Sequence, residues 1–265
     1  MKLTIYQVDA FTNKVFGGNP AAVIRLQSWL DDDMMQKIAL ENNLSETAFF
    51  VKQNEGYHIR WFTPTLEIDL CGHATLASAY IIKTFLEPHV QEIIFTTQKA
   101  GILKTYAKDG MYTLDFPSRM PAGTTAPPAL LESLGVTMAI EILKSRDYFV
   151  VLPNEEAVQN MEPDFNLMKE LNAGVIITAK GHSSDIVSRF FYPAAGIDED
   201  PVTGSAHCNL IPYWSEKLGT IKIYAKQLSK RGGDLWCEYK GDRVLMSGHC
   251  VLFMTGELTI VQGED

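Results

Sequence analysis

The chain has 265 residues, 46% of them hydrophobic and 21% charged, the balance of a globular protein with enough apolar mass for a full core. A net charge of −9 with no basic cluster excludes a nucleic-acid or anionic-membrane footprint. No apolar run approaches the roughly 20 residues that span a bilayer, and four cysteines without a C-x-x-C pair exclude a disulfide framework, so the thiols read as reduced and the compartment as cytosolic.

Residues 3–8 alternate polar and apolar and read as a first strand. Phe16-Gly17-Gly18-Asn19-Pro20 is a turn cluster ahead of a second apolar strand at 21–24. Residues 29–40 have helical spacing through Leu30, Met34 and Ile38, with Asp31, Asp32 and Asp33 in the first turn. The polar stretch Glu41 to Thr47 precedes a strand at 48–51 and its hairpin return at 57–62. Thr63-Pro64 closes the hairpin, and Cys71-Gly72-His73-Ala74-Thr75 is a tight glycine turn that opens a helix at 74–85. Strands follow at 92–97, 102–108 and 111–116. Residues 117–128 hold four of the twelve prolines and read as a linker, which divides the chain into 1–117 and 118–257. Beyond it come helices at 129–134 and 165–171, a strand at 148–152, and a hairpin at 174–179 and 185–191. A second glycine turn, Asp200-Pro201-Val202-Thr203-Gly204-Ser205, opens a helix at 205–218. The remaining strands fall at 221–225, 234–239, 243–248 and 251–261, where Gly256 can split the last in two.

The two halves repeat each other. Aligning Arg60 with Arg189 matches Phe62 with Phe191, Pro64 with Pro193, Ile68 with Ile197 and Asp69 with Asp198, five identities in ten positions. A hairpin precedes each match, and a glycine turn and helix follow it, so an internal duplication is the simplest account. A duplicated α+β unit predicts two lobes, and clefts between lobes are preferred ligand sites.

The opening turn of a helix exposes backbone N–H groups at its positive end, where a carboxylate is stabilised. The two glycine turns are therefore expected to face each other across one site, with Cys71, Gly72, Thr203, Gly204 and Ser205 binding the substrate and the turn N–H groups its carboxylate. The duplication is asymmetric in its chemistry. Fourteen residues before Arg60 stands Glu46, whereas fourteen before Arg189 stands Val175. Asp200 likewise aligns with Cys71. Glu46, His73 and Asp200 together are a set able to move a proton on a bound acid. Each has a plainer reading. Glu46 fits a turn at a strand start, His73 a helix cap, and Asp200 and Ser205 caps of the helix at 205. Cys71 reads either as a thiolate base, its pKa lowered at a helix N-terminus, or as a small buried residue. Cys71/His73, His207/Cys208 and His249/Cys250 lack zinc-site spacing, so no metal is expected. Nucleotide-loop motifs are absent and no cofactor is expected.

At these residues the chain resembles the PhzF family, the phenazine-biosynthesis-like isomerases. The resemblance rests on Val8-Asp9-Ala10-Phe11-Thr12 with Gly17-Gly18-Asn19-Pro20, on Asn43-Leu44-Ser45-Glu46-Thr47, on Pro64 through Cys71-Gly72-His73-Ala74-Thr75, and on Asp200 through Ala206. It implies a diaminopimelate-epimerase-like fold of the α/β (α+β) class: two pseudo-symmetric lobes, each a curled sheet around a central helix, with the tail 258–265 returning to the first. It implies Glu46 as the proton-shuttling group, with His73, Asp200 and Ser205 as its partners. The activity implied is cofactor-free isomerisation or epimerisation of a small carboxylic acid by a cytoplasmic homodimer. One departure stands out: Cys71 occupies the place of the first thiol of two-cysteine epimerases, but Asp200-Pro201 offers no second thiol. A Cys71-based amino-acid epimerase and a non-catalytic ligand-binding or interaction protein on the same scaffold stay open as alternatives.

Overall fold

The computed structural model describes residues 1–260. Its first half forms β1 (Lys2–Ala10), β2 (Asn19–Leu26), α1 (Asp32–Asn42), β3 (Glu46–Gln53) and β4 (Gly56–Phe62). β5 (Glu67–Ile68), α2 (Gly72–Ile81), β6 (Glu92–Thr96), β7 (Ile102–Lys108) and β8 (Met111–Pro117) follow. The second half forms β9 (Ala122–Gly123), α3 (Pro128–Ser133), β10 (Glu141–Lys144), β11 (Tyr148–Val151), α4 (Glu155–Gln159) and α5 (Phe165–Met168). Then come β12 (Val175–Lys180), β13 (Ile186–Tyr192), β14 (Ile197–Glu199), α6 (Gly204–Leu218), β15 (Lys222–Gln227), β16 (Gly233–Tyr239), β17 (Arg243–Gly248) and β18 (Cys250–Thr259). The described residues divide into two units, Met1–Asp115 with 247–260, and Phe116–Met246.

The duplication read from ten residues extends to the strand ladders. In the first unit β2 runs parallel to β3, β3 antiparallel to β4, and β4 antiparallel to β5. α2 follows, and β6 returns parallel to β4 and antiparallel to β7. The second unit repeats this sense for sense with β11, β12, β13, β14, α6, β15 and β16. Parallel neighbours need a crossover, which α1 supplies in one unit and the α4–α5 segment in the other. The arginine of each repeat is also used alike. Arg60 makes a two-toothed pair with Glu67, both contacts at 2.7 Å, and Arg189 makes one with Glu199 at 2.7 and 3.0 Å.

Each unit has a central helix. α2 buries eight of its ten residues and packs on β1, β2, β3 and β7. α6 buries eleven of fifteen and packs on β15 and β16. A helix apolar all round belongs inside a curled sheet rather than on its surface. Separate cores fill the outer faces, around Ile24, Met35, Ile38 and Phe49 in the first unit and Val150, Ile177, Val187 and Phe191 in the second.

Several bounds differ from the sequence expectation. α1 starts at Asp32 rather than 29, because Trp29 is spent as a cover, edge-on to His58 and over the Arg60 guanidinium. The helix after the first glycine turn is α-helical only to Ile81 and continues as a π-turn over Ile82–Leu86. β10 and α4 have no clear periodicity. α4 is five residues long and is started by the Asn154 side chain, which accepts from the Ala157 N–H at 2.9 Å. The last strand is not split at Gly256, since β18 pairs with β1 from Ala10↔Cys250 to Lys2↔Thr259, with one irregularity at Gln7/Val8. Val261 and the rest of the tail lie outside the described residues.

Candidate active site

Three loops of the first unit deliver the site. At Gly18 the backbone is left-handed (φ +60°), and a Cβ would lie 2.1 Å from the Ala10 carbonyl oxygen, so only glycine fits. The chain thereby turns back on β1 and places Asn19 at the head of β2. Asn43, also left-handed (φ 48°), ends α1, and three residues later Glu46 opens β3 beside Ala21 of β2. Cys71 is the extended residue before α2, and His73 lies in the first turn of that helix. Asn19, Glu46, Cys71 and His73 are all buried.

Their side chains form a line. Cys71 Sγ lies 3.5 Å from His73 Nδ1, which also receives the Asn19 amide Nδ2 at 3.1 Å. On the other side of the ring, His73 Nε2 approaches Glu46 Oε2 at 3.0 Å. That approach has the distance of an ion pair without hydrogen-bond alignment, and neither atom has a hydrogen-bond partner elsewhere. Burial works to lower the His73 pKa, but the interactions with Cys71 and Glu46 outweigh it and set the imidazole well above its ordinary value. Burial, reinforced by the Glu46 charge, pushes the Cys71 thiol up to about 11. The thiol is therefore neutral near pH 7, which leaves Glu46 as the source of the upward pull on His73. Of the two readings of Cys71, the buried residue fits and the thiolate base does not, because desolvation outweighs any lowering at the helix N-terminus. Nor does Cys71 cap α2 through its side chain; its carbonyl instead accepts from Thr75 Oγ1 at 2.5 Å.

The second unit builds the other turn. Thr203 precedes α6, and its backbone N–H donates to the buried Gln227 Oε1 at 2.8 Å. Gln227 Nε2 donates in turn to the Asp200 carbonyl at 2.7 Å and to Thr203 Oγ1 at 3.1 Å. Thr203 Oγ1 donates to the Asp200 carboxylate at 2.5 Å. Asp200 thus braces the turn, and Ser205 Oγ accepts from the Arg146 guanidinium at 3.1 Å. Gly204 and Ser205 open a fifteen-residue helix, whose first N–H groups have no partner within it.

Among the described residues, Glu46, Cys71 and His73 form the one group with metal-ligand atoms within 4.8 Å of one another. The imidazole stands between the other two, Nδ1 toward the thiol and Nε2 toward the carboxylate. One ring nitrogen does not face both, so the arrangement suits a hydrogen-bond chain better than a shared ion.

The sequence model of the phenazine biosynthesis-like protein family, PhzC-PhzF, matches residues 8–256. The chain belongs to this family. It is 47% identical over 262 residues to a Pseudomonas aeruginosa protein described as an uncharacterized isomerase, covering 98% of this chain and 100% of that one. The crystal structure of a PhzF-family protein from Enterococcus faecalis superposes with a TM-score of 0.95 at 48% identity, over 98% of this chain and 100% of that one. A hydroxyproline epimerase from Agrobacterium vitis, at 9% identity and a TM-score of 0.63 over 97% of this chain and 92% of that one, shares the fold alone.

In this PhzF-family chain the structure groups Glu46, Cys71 and His73 at one turn, and Asp200, Thr203, Gly204 and Ser205 at the other. Sequence reasoning left three contributors without a role. Asn19 was visible only as part of a turn motif, although it reaches the His73 ring across 54 positions. Gln227 ends a strand 24 positions beyond Thr203, and Arg146 lies 59 before Ser205. No local pattern marks either one.

Proposed function

We propose that the protein is a cofactor-independent isomerase or epimerase that moves a proton on a small carboxylic acid, with Glu46 as the acid/base group. The observation that carries this reading is the buried Glu46–His73 contact at 3.0 Å, in a chain whose relatives are described as isomerases. A carboxylate in a buried site takes a proton from a carbon next to a carbonyl, and returning it elsewhere completes an isomerisation. His73 steadies Glu46 through Nε2. The Gly72 and Gly204 turns offer N–H groups to substrate carboxylate, with Asp200 and Thr203 shaping the second turn and Ser205 adding a hydroxyl. The proposal retains the expectation that both turns serve one ligand, and that the protein works as a cytoplasmic homodimer. No helix among the described residues is long and apolar enough to cross a membrane. The raised thiol weighs against Cys71 as a base.

The test is solvent-deuterium incorporation across a panel of small carboxylic and amino acids, followed by NMR. Wild type is expected to exchange at least one member, and folded Glu46→Gln to lose about 10²-fold or more of that rate. Glu46→Gln exchanging at the wild-type rate overturns the assignment.

A further inference from the structure

We infer that Asn19 is a positioning residue: its amide N–H donates to His73 Nδ1 and so keeps the imidazole proton on Nε2, the nitrogen that faces Glu46. A neutral imidazole accepts at one nitrogen and donates at the other. Nδ1 has two neighbours, the Asn19 amide nitrogen at 3.1 Å and Cys71 Sγ at 3.5 Å. An amide nitrogen only donates. The Cys71 thiol, neutral near pH 7, also arrives carrying its hydrogen. Two donors converge on one ring nitrogen, and the state that suits both is a bare Nδ1. Across the ring, Nε2 faces Glu46 Oε2 at 3.0 Å, and a carboxylate oxygen accepts, so the ring proton belongs on Nε2. All four side chains are buried from bulk solvent, so a missing partner would leave a polar atom unsatisfied.

Charge and hydrogen bonding pull in opposite directions here. The Glu46 carboxylate favours a second proton on His73, and the Asn19 amide denies that proton a place on Nδ1. The outcome matters for the proposed chemistry, and this part of the inference rests on that reading. An imidazolium 3.0 Å from a carboxylate favours its unprotonated form and makes a poor neighbour for a base. A neutral ring presenting its Nε2–H toward Glu46 avoids that penalty. The backbone supports the assignment, because Asn19 directly follows Gly18, whose left-handed turn tolerates no Cβ.

The experiment is a long-range ¹H–¹⁵N correlation spectrum of the full chain labelled at histidine nitrogen, recorded at pH 7, with His73 assigned by its loss in His73→Asn. The expected wild-type signature is a pyridine-like Nδ1 and a pyrrole-like Nε2. A protonated Nδ1 in wild type overturns the inference. Asn19→Asp replaces the donor by an acceptor of the same shape and is expected to protonate Nδ1; an unchanged ring in that variant also overturns it. Cys71→Ala is expected to leave Nδ1 bare, and a proton appearing there would assign the role to the thiol instead. Should Asn19→Asp not fold, the wild-type spectrum decides by itself. The readout needs no substrate, so a switched tautomer together with unaltered deuterium exchange upholds Asn19 as positioning residue and overturns only the catalytic reading of the pair.

Discussion

His207 couples the second glycine turn to pH, and the coupling has a calculable size. It lies one turn inside α6, fully buried, and its Nδ1–H donates to the Thr203 carbonyl at 2.8 Å. Nε2 has no hydrogen-bond partner, so a second proton there would place an uncompensated charge in the core. Burial accordingly lowers the pKa to about 4, from an ordinary value of 6.5. Between those values the unfolded chain binds a proton that the folded chain refuses. The contribution to stability is complete above about pH 6.5 and is lost as pH falls toward about 4. At about 1.36 kcal/mol per pKa unit the full loss is about 3 kcal/mol, of which about 2 kcal/mol falls between pH 7 and pH 5. The raised pKa of His73 acts with the opposite sign, supplying stability below its unfolded value that disappears as pH rises through the folded one. Comparing wild type with His207→Gln cancels that contribution and those of the carboxylates. Urea unfolding at pH 7 and pH 5 is expected to show wild type losing about 2 kcal/mol more than the variant over this interval. Equal losses in the two proteins would refute the reasoning, whatever the absolute stability of the variant.

Two further outcomes test the first unit. With its pKa moved from 9.0 to about 11, Cys71 carries about 100-fold less thiolate near pH 7 than an ordinary thiol. Iodoacetamide labelling followed by peptide mass spectrometry should therefore leave it largely unmodified at pH 7.5. Labelling of Cys71 in the folded protein at the rate of a free thiol would contradict its burial beside Glu46. Gly18→Ala forces a side chain to φ +60° with its Cβ 2.1 Å from the Ala10 carbonyl, and should cost more than about 2 kcal/mol in urea unfolding. A loss under about 0.5 kcal/mol would mean that the turn relaxes freely and does not hold Asn19 in place.

The sequence by itself determined the local structure and the catalogue of reactive groups. Alternation marks β1, β7 and β8 because one face of each meets a core, and Gly72 and Gly204 mark helix starts because turn chemistry is local. Five identities around Arg60 and Arg189 exposed a duplication that the ladders repeat, since a buried arginine must be paired wherever its unit is copied. Glu46, Cys71, His73 and Asp200 were all legible as chemistry-bearing residues. Only the tertiary structure decided what each of them touches. Glu46 and His73 are 27 positions apart, and Asn19 and His73 are 54 apart, yet they meet because β2 and β3 run side by side over α2. The ionisation of Cys71 and His207 followed the same rule. A helix N-terminus is readable from a glycine turn, but the desolvation that overrides it is produced by strands and helices distant in sequence, and no spacing of residues records it.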